Sequence, residues 1–135
     1  MATLVANTVC IDSNVLIGFL RGQSAAIQLM RHALSHSDCC VSVITVYEVL
    51  YGARRAKRNL DEDALLSALR VLSLTNESAR RAANIHADMT RTNMQIGVND
   101  ILIAAICIEH DMPLVTLNEK HFERVPELVI SKPAG

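Results

Sequence analysis

The chain moves between two hydrophobic rhythms. Short, unbroken apolar runs rich in β-branched residues cover residues 8–11, 39–43 and 114–116, with weaker runs at 71–74 and 128–130. Runs of this length, bounded by polar residues, read as strands buried on both faces of a parallel sheet. Between them apolar positions recur every three or four residues, which predicts helices over 15–21, 25–35, 44–56, 61–69, 78–93 and 100–110. Strands that alternate with helices require crossover connections, with helices on both sides of the sheet. The expected architecture is therefore an α/β fold of three layers, α/β/α, around a central parallel sheet of four to five strands. No internal repeat, low-complexity tract or Pro/Gly-rich linker divides the 135 residues, so one domain over 1–135 is expected.

Three acids interrupt this pattern. Asp12 stands in "NTVCIDSNVLIGFL", between a strand and a helix that both want burial. Asp, Ser and Asn are all good helix caps, but one suffices and three stand here in a row. Glu48 is the only charged residue in "VSVITVYEVLYGA", with apolar residues on every side of its predicted helix. A carboxylate buried there costs several kcal/mol unless a cation meets it. An ion pair with Arg54 or Arg55 would be the ordinary solution. The mid-helix Gly52 points to close approach of another group. Asp100 opens "NDILIAAICIEH", where a carboxylate favours the positive helix end and Asn99 can be the cap. In parallel sheets ligands bind at the carboxyl ends of the strands, where Asp12 lies. Three carboxylates with neutral oxygen donors suit Mg²⁺, with Mn²⁺ as a substitute, and the absence of His/Cys ligand spacing argues against zinc.

Composition narrows the options. Half the residues are apolar and a fifth are charged, more than one small surface hides easily, so a homodimer or a partner protein is expected. A formal net charge of −1 excludes a protein that coats nucleic acid through bulk positive charge, though not a local basic patch. Cys10, Cys39, Cys40 and Cys107 form no Cys-x-x-Cys spacing and fit a reducing cytoplasm. The first residues lack an export signal, and the longest apolar run, 101–108, is far below the roughly 18 residues that span a bilayer, so no membrane association is expected.

The segments "IDSNVLIGFLRG", "VSVITVYEVLYGARR" and "IGVNDILIAAICIEHDMPLVTLNEKHFERVPEL" resemble, in order and spacing, the PIN-domain ribonucleases, and most closely the VapC-type toxins of bacterial toxin-antitoxin pairs. The resemblance implies a metal-dependent endoribonuclease that leaves 5′-phosphate and 3′-hydroxyl ends. It makes Asp12, Glu48 and Asp100 catalytic, metal-holding acids, with Ser13, Asn14, Thr116 and Asn118 orienting water or phosphate. Asn118 stands where many PIN domains carry a fourth acid, and His121 where others do. Glu119 can compensate or sit solvated at the start of a short helix, and His121 is left outside the metal set. Because of Asn118, a catalytically weak or silent module that binds RNA or protein is the alternative. The resemblance also implies a homodimer and a cognate antitoxin of VapB type, docked in a groove from helices near residues 15–30 and 44–53. RNA is expected to meet the basic run Arg54, Arg55, Lys57 and Arg58, with Arg80 and Arg81 as a second pair. With aromatics at 3%, phosphate contacts are favoured over base stacking.

Overall fold

The computed structural model describes residues 7–132; the reading of residues 1–6 as free of an export signal lies outside them. Along the chain run β1 (Thr8–Ile11), α1 (Ser13–Leu20), α2 (Ser24–His36), β2 (Asp38–Ser42), α3 (Val43–Ala56) and α4 (Glu62–Ser67). There follow β3 (Arg70–Leu72), α5 (Asn76–Arg91), α6 (Val98–Glu109), β4 (Leu114–Val115) and α7 (Glu119–Phe122). Every strand pairing is parallel and the order across the sheet is β3-β2-β1-β4. The expected fifth strand at 128–130 shrinks to a single bridge, Leu114 to Ile130, because β4 offers only two residues to pair with.

Alternation along the strands splits the core between the two faces. Val9, Ile11, Val41 and Val115 pack beneath α1 to α4, with Leu16, Met30 and Val49. Cys10, Cys40 and Leu114 point the other way, against Ile103 and Ile106 of α6 and against Phe122. All four cysteines are free, and Cys10, Cys40 and Cys107 are buried as small apolar fillers. Gly18 is where α1 and α2 nearly touch: a Cβ there would lie 2.6 Å from that of Ala26. Gly52 does not mark a similar approach, since nothing lies within 4 Å of where its Cβ would be. It borders a cleft between α1 and α3 instead. No helix among the described residues is long and apolar enough to cross a membrane.

Polar residues set several helix starts that hydrophobic period does not reveal. Ser42 ends β2 and caps α3 at once, its Oγ accepting the Thr45 N–H at 3.1 Å, so strand passes into helix without a loop. Thr75 accepts the Ser78 N–H at 3.0 Å and starts α5 at Asn76, ahead of its apolar stripe. Helix α6 begins at Val98 after an extended Gly97, which makes Asp100 its third residue and frees Asn99 from capping.

The sheet order has one functional consequence. From β1 the chain steps outward to β2 and β3, then returns to the other side of β1 as β4. The carboxyl ends of β1 and β4 thus flank a topological switch point, where a crevice opens in parallel sheets.

Candidate active site

Asp12 follows β1 and Thr116 follows β4, so the two face each other across that crevice. Asp12 is only 2% exposed. Its Oδ1 accepts the Ser13 N–H at 2.8 Å, and its Oδ2 accepts the Thr116 hydroxyl at 2.7 Å. Asp12 therefore caps α1 and reaches into the crevice with the same carboxylate. Burial pushes this carboxyl up from 3.8 to about 6, and the Thr116 hydrogen bond pulls it back. The charge of Asp100 raises it again, the Ser13 bond lowers it, and Glu48 adds a smaller upward push. The three acids from β1, α3 and α6 are therefore within electrostatic reach of one another.

Each of the other acids is held by a neighbour. Asn99 donates from Nδ2 to Glu48 Oε2 at 3.2 Å, tying α6 to α3. The second oxygen of Glu48 is buried and has no hydrogen-bond partner among the described residues. The alternative to a metal site, an ion pair of Glu48 with Arg54 or Arg55, is not formed: Arg54 donates to its own helix at the Leu50 carbonyl, and Arg55 lies over the Tyr51 ring. Nor is α3 apolar on a wholly buried surface, since Tyr47 and Tyr51 face solvent. Asp100 Oδ2 lies 3.5 Å from His121 Nδ1, which is itself 2.8 Å from Asn118 Nδ2.

The neutral residues brace this arrangement. Asn14 spans from α1 to the end of β4, its Oδ1 accepting the Leu117 N–H at 3.2 Å and its Nδ2 lying 3.5 Å from Thr116 Oγ1. Asn118 donates its backbone N–H to that same Oγ1 at 2.9 Å. Its side chain does not cap α7 but turns to His121. Sequence reasoning does not place Asn99 or His121 among these groups. Asn99 looks like a cap in sequence, and His121 reaches Asp100 only because α7 folds back over the strand ends.

The basic residues separate into two groups. Arg54, Arg55, Lys57 and Arg58 are exposed at the carboxyl end of α3, six or more residues beyond Glu48 and so about 9 Å or more along the axis. Arg81 is engaged elsewhere, in ion pairs with Glu109 and, at 3.0 Å, Glu127. Arg81 is thus already paired on its own surface, unlike, among the described residues, the run at the end of α3.

A hard divalent cation fits these groups. Every candidate ligand is an oxygen, one Glu48 oxygen is buried without a partner, and the acids repel one another at Asp12. Among the described residues no three His, Cys, Asp or Glu groups converge tightly enough to hold an ion by themselves.

Comparison with known proteins identifies the scaffold. Residues 9–128 match the PIN domain. The chain belongs to the PIN-domain family. Among its relatives is Ribonuclease VapC10 of Mycobacterium tuberculosis, 36% identical over 120 residues, which cover 89% of this chain and 90% of the relative. The tRNA(fMet)-specific endonuclease VapC of Salmonella typhimurium is 31% identical over 124 residues, covering 89% and 93% respectively. DNA-bound VapBC from Salmonella typhimurium superposes with a TM-score of 0.81 at 29% identity, over 94% of this chain and 98% of that one. In this PIN domain the acids Asp12, Glu48 and Asp100 are joined at the strand ends by an amide, Asn118, and an imidazole, His121.

Proposed function

We infer that the chain is a metal-dependent endoribonuclease, the toxin of a pair neutralised by a VapB-type antitoxin. The observation that carries this reading is the buried Asp12 carboxylate, held at a strand switch point within reach of two further acids. Its PIN-family membership and the ribonuclease and endonuclease names of its relatives support the reaction class. Asp12, Asp100 and Glu48 would hold the ion, Mg²⁺ or in its place Mn²⁺. Bound there, the ion supplies an acidified water and neutralises charge on the scissile phosphate.

The protein's own residues set the geometry. Thr116 fixes Asp12 by donating to Oδ2, and Asn14 locks the turn that carries Thr116. Asn99 orients Glu48 so that its unpartnered oxygen stays available. Ser13 contributes its backbone N–H to Asp12. Asn118 supports Thr116 through its backbone and His121 through its amide. Arg54, Arg55, Lys57 and Arg58 supply cations for RNA phosphates at the far end of α3. One domain carries the whole activity.

The antitoxin would lie along the shallow cleft between α1 and α3, lined by Ile17, Leu20, Val49 and Gly52, as an amphipathic segment laid over a groove. The absent Gly52 side chain leaves room there. A homodimer would cover apolar side chains such as Met94 and Val98, which are exposed in the single chain. Free cysteines accord with a cytoplasmic setting.

A second reading, a weak or silent RNA- or protein-binding module, draws support from Asn118, which brings no charge. Incubation of structured RNA with the protein, with and without Mg²⁺ or Mn²⁺, separates the two. Metal-dependent cleavage that disappears in Asp12→Ala supports the enzyme. Binding without cleavage at any metal concentration would sink it.

A further inference from the structure

We propose that Tyr47 and Tyr51 form a stacking platform for unpaired RNA bases, leading a single strand toward the acids; the proposal rests on the ribonuclease reading above. Both side chains are more than half exposed, at 60% and 54%. They sit four residues apart on α3 with rings nearly parallel, 14° between planes and 5.9 Å between centroids. The Arg55 guanidinium continues the row, 5.9 Å from the Tyr51 centroid. Tyr47, Tyr51 and Arg55 thus make a ladder along the outer face of the helix. Glu48, next in sequence to Tyr47, turns toward Asn99 and the acid site. The ladder thus starts on the same turn of α3 that carries Glu48.

Charge selects the occupant. Beyond Tyr51 come Arg54, Arg55, Lys57 and Arg58, four cations against the two acids, Glu62 and Asp63, that border a cleft with Arg54, Lys57 and Arg58. Aromatic faces beside a cationic track suit single-stranded nucleic acid, whose bases stack while its phosphates meet the cations. An isologous contact between two copies through this face would bring the same four cations together, a like-charge cost. The two tyrosines escape the low average aromatic content because they are concentrated at one place.

Tyr47 and Tyr51 are the only tyrosines in the chain and there is no tryptophan, so tyrosine emission reports on this patch alone. The full chain carrying Asp12→Asn, which leaves RNA uncut, is titrated with a mixed-sequence single-stranded RNA and with the same strand in a duplex. Saturable quenching is expected with the single strand and at least about tenfold weaker binding with the duplex. Tyr47→Ala and Tyr51→Ala should each weaken single-strand affinity about 5- to 150-fold, read by anisotropy of labelled RNA, while the phenylalanine variants stay within about twofold. Alanine variants that bind within about twofold of the parent overturn the platform. So does a change in oligomeric size with unchanged RNA affinity, which assigns the face to protein. If wild type cleaves RNA but the alanine variants bind normally, the platform falls and the ribonuclease stands. If stacking and its loss are seen and wild type never cleaves with metal, the platform stands and the ribonuclease falls.

Discussion

Replacing Asp12 by asparagine should make the metal-free protein more stable at neutral pH. The folded chain holds this carboxyl at about 6, against 3.8 for the free group, chiefly by burial. The folded state therefore binds the Asp12 proton more tightly than the unfolded state does. Below about pH 4 both states are protonated and nothing is lost. As pH rises from about 4 to about 6 the unfolded chain releases the proton first, and stability falls by about 3 kcal/mol. The amide of the Asp12→Asn variant cannot ionise, yet it keeps an oxygen for the Ser13 N–H. It fits the Thr116 hydroxyl less well than a carboxylate does, so about 1 to 2 kcal/mol of the 3 should be recovered. For a chain of this size that raises Tm by roughly 3 to 7 °C. Melting curves of wild type and Asp12→Asn across pH 3.5 to 8, with chelator, give the comparison. Their difference should change sign: the variant melts below wild type at the acid end by the unrecovered part, about 1 to 2 kcal/mol, the two cross within the window of about pH 4 to 6, and the variant stays above wild type at higher pH. Saturating Mg²⁺ or Mn²⁺ should then raise the wild-type Tm and leave the variant nearly unmoved. A variant that melts below wild type at neutral pH without metal, or an equal metal response in both, would refute the reasoning.

Other substitutions test the supports. Thr116→Val leaves Asp12 Oδ2 without its donor and should cost about 1 to 3 kcal/mol at about pH 7.5 by urea denaturation, with a smaller loss near pH 4 where Asp12 is protonated. Asn99→Ala frees Glu48 from its only hydrogen bond among the described residues, so Mn²⁺ affinity by calorimetry should fall about 10- to 100-fold with Tm little changed. Gly18→Ala forces a Cβ against that of Ala26 and should destabilise by about 1 to 3 kcal/mol, while Mn²⁺ binding by the folded protein stays intact.

The sheet is legible in the sequence because its signal is local. Each β-branched run is a strand or a bridge in the structure, and the polar residue that ends the run marks the strand's carboxyl edge. Asp12 can be placed at that edge from sequence, since it directly follows a buried apolar run, whereas the run read over 114–116 takes in Thr116, which the strand leaves just outside its end. The 2.7 Å hydrogen bond between the two cannot be read from sequence, because it depends on β4 pairing with β1 across 104 positions of chain. Helix starts escape the sequence for a related reason. Hydrophobic period sees where an apolar stripe begins, whereas Thr75 and Gly97 set the first turn through backbone geometry.

The neighbours of the acids mark where reading along the chain stops. Glu48, half-buried in the structure with one oxygen fully enclosed, is conspicuous as a lone charge in an apolar helix, and a need for a partner follows from that isolation. The identity of its partner does not. Arg54 and Arg55 lie close in sequence and carry the right charge, yet the helix turns Arg54 back to Leu50 and stacks Arg55 on Tyr51. Asn99, distant in sequence, arrives through the packing of α6 on α3 and leaves one Glu48 oxygen unmatched. A cationic partner would have neutralised that carboxylate and closed the site. A neutral amide orients the carboxylate and leaves its second oxygen unoccupied, which fits the proposed divalent-ion site.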